Sequence, residues 1–313
     1  MMNKKEFTNE IAAKIATILP EAFAGAEITV SEHKKNNGLV LTGLTIHKPG
    51  SDVSTIIYLD QYYNHYCEKI ATMDDILLSI KKILLDNPGN EYSDVKETIV
   101  DFANVKDKIF VAFINKQRNA EKLLGIPYTE MEDLAVIYKV MLTSSKEGTA
   151  TITITNPMME QWGITKEELH ALSVANSRRI LPPEVLPLGK MVEKMMRSNG
   201  MSEEQLDKKC NEIFAPDEIP MFVITNDLKL NGAATIYYSD VLEKIAEKLR
   251  DDLYILPSSI HEAIAIPSRY EDLESLSAMV KEVNSTQVAE EEQLSDNVYM
   301  YTASTKELHI ATR

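Results

Sequence analysis

The sequence predicts an α+β fold with mixed or antiparallel sheets, and three observations carry that reading. Alternating strands come in pairs joined by short turns, amphipathic helices fall between the pairs, and the regular strand–helix–strand alternation of a doubly wound parallel sheet is missing. Composition suits a folded globular chain: 313 residues, 44% hydrophobic and 26% charged, with 11 Gly and 12 Pro. At this length the prior is about two domains, or one large one.

The first element is a helix over Asn3 to Ile18, with Phe7, Ile11, Ile15 and Ile18 on one face and Pro20 as its stop. A hairpin follows, with Ile28 and Val30 alternating against Thr29 and Ser31, turn residues Lys35 to Gly38, and a return strand over Leu39 to Ile46. A third strand covers Val53 to Tyr58. Helices then run over Asp60 to Ile70 and from the Thr72 cap, with Asp75 at N3, to Leu84 and the stop at Asp86 to Gly89. This stretch, residues 1–90, forms a first unit able to close its own core.

Residues 91–188 form a central α+β region. It holds an apolar strand at Ile109 to Ile114, a short helix near Gln117 to Leu124, and a hairpin of Leu134 to Leu142 with Thr149 to Thr155. Thr165 and Glu168 form a capping box, with Ile164 stapled to Leu169, opening a helix through Ser177. Leu181-Pro182-Pro183-Glu184-Val185-Leu186-Pro187 is extended, because each proline disfavours the helical region for its predecessor, and is the strongest internal linker candidate. Residues 189–313 begin with a helical pair, the second member opening at Ser202 and ending at Pro216. Strands follow at Met221 to Thr225 and Ala233 to Tyr237, then a helix opened by an Asp240–Glu243 box. Strands at Leu253 to Leu256 and Glu262 to Ile266 precede a helix capped by Ser268 and Glu271, and strands at Val298 to Tyr301 and Leu308 to Ala311 close the chain.

Charge and cysteine usage narrow the function. Lys and Arg number 33 against 48 Asp and Glu, a formal charge of -15, so a nucleic-acid partner is not expected. No apolar window is long enough to span a bilayer, and Met1 to Phe7 lacks the apolar core of an export signal, so no membrane partner and a cytoplasmic location are expected. Cys67 and Cys210, two thiols on apolar helix stripes, are expected to be buried and unreactive rather than a disulfide framework.

Ile224-Thr225-Asn226 with Asn231-Gly232-Ala233-Ala234, the run Leu242 to Leu249, and Tyr254 to Glu262 resemble an uncharacterised bacterial family catalogued as domain of unknown function 5688. The similarity continues through Val283-Asn284-Ser285-Thr286-Gln287-Val288-Ala289 and Leu294-Ser295-Asp296-Asn297-Val298-Tyr299, and covers most of the chain. At Glu290 this sequence departs from the Ala-Pro pair of the family, a difference that bears on a turn. The resemblance implies a soluble accessory protein and assigns no residue a role.

Candidate chemistry is sparse. Ser258, Ser259, His261 and Glu262 crowd one turn and supply a hydroxyl, an imidazole and a carboxylate, the groups of a hydrolase. A tight turn wants the same residues, neighbours along an extended chain face opposite ways, and no G-x-S-x-G elbow occurs. His65 with Cys67, and His33 with His47 across the first hairpin, are the nearest approaches to a metal site; no metal and no cofactor is expected. No phosphate loop is present. Met191, Met195 and Met196, beside the basic Arg178, Arg179, Lys190, Lys194 and Arg197, form a partner-binding candidate centred on the methionines and Arg197. The expected function is therefore noncatalytic protein interaction or regulation, with a hydrolase using Ser259 and His261 as the alternative.

Overall fold

The structure, a computed structural model, describes residues 2–51, 54–86, 95–145, 148–198, 200–201, 219–270 and 272–311. The chain folds as two compact units, Met1–Asp101 and Phe102–Arg313. The fold is α+β, with every strand pair antiparallel among the described residues.

In the first unit, helix α1 (Lys4–Ile18) precedes strands β1 (Glu27–Lys34), β2 (Val40–His47) and β3 (Ser54–Tyr58), then helices α2 (Asp60–Cys67), α3 (Met73–Asp86) and α4 (Val95–Val100). Asn3 and Glu6 close a capping box at α1, each side chain accepting from the other's backbone N–H at 2.9 Å. Thr72 and Asp75 do the same for α3, and the Asp75 carboxyl is held below its ordinary range by the Thr72 hydroxyl and N–H. The faces thus aimed inward, Phe7, Ile11 and Ile15 with Ile76, Ile80 and Leu84, meet Leu44, Ile46 and Leu59 in one core. The expectation for α2 is corrected. None of its residues is fully buried; Tyr62, Tyr63 and Tyr66 lean on the core, and Cys67 is half-buried. Cys210 lies outside the described residues.

In the second unit, α5 (Phe102–Val105) leads into β4 (Ile109–Asn115), α6 (Ala120–Leu123), β5 (Tyr128–Met131), β6 (Leu134–Ser145) and β7 (Gly148–Thr153). The long strand β6 pairs with β4 along one edge and with β5 and then β7 along the other. Helices α7 (Asn156–Trp162) and α8 (Lys166–Ile180) follow, then β8 (Pro183–Pro187), α9 (Leu188–Ser198) and β9 (Phe222–Asn226). Next come α10 (Val241–Leu249), β10 (Leu253–Leu256), β11 (Ala263–Pro267), α11 (Leu273–Thr286), β12 (Tyr299–Thr302) and β13 (Glu307–Ile310). A second sheet has the order β13-β12-β10-β11-β9-β8. Val111, Phe113, Val136 and Tyr138 from the first sheet share a core with Ile224, Ile255, Ala265 and Tyr299 from the second. Helix α11 covers the second sheet's other face through Leu276 and Val280.

Several expectations change here. The proline-rich segment is extended, as its sequence requires, but it is the outer strand β8 of the six-stranded sheet and not a linker, and it joins residues of 91–188 to residues of 189–313. Ala233 to Tyr237 belongs to a six-residue 3-10 helix, Gly232–Tyr237, and not to a strand. The reason is tertiary: Asn231 turns left-handed at φ 49 and Gly232 is pressed against Thr225 and the His261 carbonyl. Asp240 caps no backbone, since its carboxylate is taken by Arg178 and Lys244. Helix α11 is capped by Asp272, which accepts from Ser275 N–H at 3.0 Å, rather than by Ser268; Glu271 lies outside the described residues, as does the helix expected from Ser202. Strand β5 and helix α7 were not anticipated.

Candidate functional site

Among the described residues, β8 leaves one edge of the six-stranded sheet without a neighbouring strand. Alternation along it puts Pro183, Val185 and Pro187 on one face, and Val241 and Ile245, one turn apart on α10, stand opposite. With Phe222, which pairs with Pro187, they wall a cavity of about 300 Å³. Proline at both ends of an outer strand suppresses pairing with a further strand, so this edge favours side-chain over backbone recognition.

The cavity's rim is charged. Arg178 and Lys244 both bind Asp240, the lysine at 2.6 Å, and their hydrogen bonds hold the Asp240 carboxyl well below the usual carboxylate range. Lys248 sits over the Phe222 ring with Nζ 5.1 Å from its centroid. Among the described residues that line it, three cations to one carboxylate make this lip net positive on a chain of formal charge -15.

The turn holding Ser258, Ser259, His261 and Glu262 is tied into the fold by other bonds. The buried Ser259 hydroxyl accepts from His261 N–H at 2.9 Å, while the imidazole lies 3.1 Å from the Lys229 carbonyl through Nδ1 and 3.4 Å from Glu292 through Nε2. Hydroxyl and imidazole are not hydrogen-bonded to each other. Ser258 accepts from Leu294 N–H through its carbonyl, and Glu262 is half-buried. Ser259→Ala is expected to cost about 1 kcal/mol, the scale of one such bond, measured as a small downward shift in a thermal melt.

Met191 is buried, Met196 is half-buried, and the Met195 side chain lies outside those described. Arg197 is exposed and pairs with Glu193 at 3.0 Å, Lys190 reaches the same carboxylate at 2.8 Å, and Lys194 reaches Glu184 at 2.9 Å. This basic set therefore meets its own acids. His33 and His47 do not approach: His33 stands opposite Leu41 and His47 opposite Glu27, six steps along the ladder or about 20 Å. Among the described residues no group of three or more His, Cys, Asp or Glu is placed to hold a metal, and no helix is long and apolar enough to cross a membrane.

One constellation escaped the sequence reading. His170 of α8 lies between two tyrosine rings, edge-on to both, with Nδ1 3.1 Å from the Tyr138 hydroxyl and Nε2 3.4 Å from that of Tyr237. Burial lowers the imidazole's pKa, helped by Lys166, and raises those of both phenols. A neutral imidazole in this position donates to one hydroxyl and accepts from the other, the tautomer setting which.

The family model for DUF5688, a family of unknown function, matches residues 4–303. The chain belongs to this family. No curated protein and no solved structure matches it. In this DUF5688 chain the C-terminal segment that carries the resemblance is a structural clamp. Ser295 and Asn297 donate to Asp133 at 2.8 and 2.9 Å, and the Tyr299 hydroxyl donates to the same carboxylate. Asn284 reaches the Ser295 carbonyl at 2.9 Å, Arg118 grips Gln293 and Asp296 at 2.6 and 2.7 Å, and Asn115 holds the Leu294 carbonyl at 2.9 Å.

Proposed function

We propose that this DUF5688 member is a soluble bacterial accessory protein that acts by binding, as a noncatalytic interaction module whose groove between β8 and α10 takes an acidic segment of a partner protein bearing an apolar side chain. The observation that carries this is the pairing of an apolar cavity, walled by Val185, Phe222, Val241 and Ile245, with a net positive lip. Apolar burial supplies affinity, and the cations select acidic sequences. A cytoplasmic location belongs to the same reading, supported by two cysteines without a disulfide framework. So does the absence of a nucleic-acid partner, supported by the formal charge of -15.

A labelled hexapeptide with a central Leu-Phe pair flanked by glutamates tests the reading by fluorescence anisotropy on the full chain. It should bind, weaken with added salt, and lose about tenfold or more in affinity on Val185→Asp or Lys248→Glu. Equal binding of a peptide with lysines in place of the glutamates, or unchanged binding by both variants, overturns it.

A further inference from the structure

The cations at the lip of the β8–α10 groove are not equivalent. Arg178 and Lys244 share the Asp240 carboxylate, whereas Lys248 makes no ion pair among the described residues and stands over the face of the Phe222 ring. Helix α10 also sorts its charges. Val241, Lys244, Ile245 and Lys248 recur at helical spacing along the cavity, while Glu243 binds Lys306 and Glu247 lies toward Tyr301. The uncommitted ammonium is therefore exposed at the aromatic wall of an apolar cavity of about 300 Å³, with Nζ 5.1 Å from the ring centroid.

Building on the binding role proposed for this groove, we infer that the partner segment it takes is a chain terminus, with the side chain of an apolar C-terminal residue in the cavity and its α-carboxylate on Lys248. One uncommitted cation against an apolar wall calls for one anion attached to one apolar group. In a C-terminal residue the carboxylate and the side chain share a Cα, so a single residue meets both. Within an extended chain the nearest side-chain carboxylate belongs to a neighbour, whose Cα is about 3.8 Å away and whose side chain points to the opposite face. Pro183 and Pro187 remove two backbone donors from β8, so the ligand is not built in as a further strand, and a terminus needs none of those bonds. At the lip the carboxylate stays in contact with water and avoids the cost of burying a charge.

Fluorescence anisotropy on the full chain compares N-terminally labelled Glu-Glu-Glu-Leu-Phe ending in a free acid with Glu-Glu-Glu-Glu-Leu-Phe ending in an amide, peptides of equal net charge. The free acid should bind about fivefold or more tightly, the upper range for a partly exposed ion pair. Lys248→Gln should bring the two peptides within about twofold of each other and keep the native melt, while Lys248→Arg should retain the preference. Equal binding of acid and amide by the parent overturns the terminus and leaves the acidic-segment reading standing; binding of neither peptide overturns both. A preference that survives Lys248→Gln also overturns the proposal. So does octanoate displacing the label at a lower concentration than the unlabelled free-acid peptide, which would assign the cavity to a free aliphatic carboxylate.

Discussion

Gly232→Ala is expected to destabilise the protein by about 3 kcal/mol or more, the upper range for overpacking a closed site. A Cβ at this position would stand 2.1 Å from Thr225 Oγ1, 2.2 Å from the His261 carbonyl oxygen and 3.0 Å from the Thr225 Cα. Two of those atoms are backbone, and the Thr225 hydroxyl itself donates to the His261 carbonyl at 2.8 Å, so the neighbours cannot step aside without breaking the β9–β11 connection. For a unit of this size the melting temperature should fall by roughly 6–12 °C. A full-length variant that melts within 2 °C of the parent refutes the close approach. The groove should suffer too, because the 3-10 helix that Gly232 opens leads directly into α10.

Asp133→Ala should be comparably damaging, at about 3 kcal/mol. It strands three donors at once, the Ser295 and Tyr299 hydroxyls and the Asn297 amide, and Tyr299 is fully buried. A buried donor left without an acceptor costs about 1–3 kcal/mol. Burial and the Asp133 charge both raise the Tyr299 phenol's pKa, so the hydroxyl stays protonated and donating across the working pH range. Tyr299→Phe should cost less than Asp133→Ala, since the carboxylate keeps its other two donors. The double variant should show coupling, its cost falling short of the sum of the single costs. Additive losses, or an Asp133→Ala melt matching the parent's, remove the clamp as the anchor of the C-terminal segment.

Much of the α+β reading was legible because its signals are short-range. The Thr72–Asp75 and Thr165–Glu168 boxes are made within three residues, so the sequence alone locates them, and the structure places both as expected. The hairpins β1–β2 and β6–β7 announce themselves by alternation around turn residues. The candidate site was only partly legible. The period of Pro183, Val185 and Pro187 gives one wall and the period of Val241 and Ile245 gives the other. Nothing in either period says that the walls face each other.

By itself, then, the sequence determined the local conformations: where helices start, which strands alternate, and that the proline-rich segment must be extended. Tertiary structure decided what those conformations are for. It made that extended segment an outer strand of a sheet, turned Ala233 to Tyr237 from an alternating stretch into a 3-10 helix, and spent Asp240 on Arg178 and Lys244 instead of on a cap. The physical reason is range. A cap or a turn is fixed by bonds between near neighbours, whereas Asp133 meets Tyr299 across 166 positions, and such a meeting is chosen by the packing of the whole core.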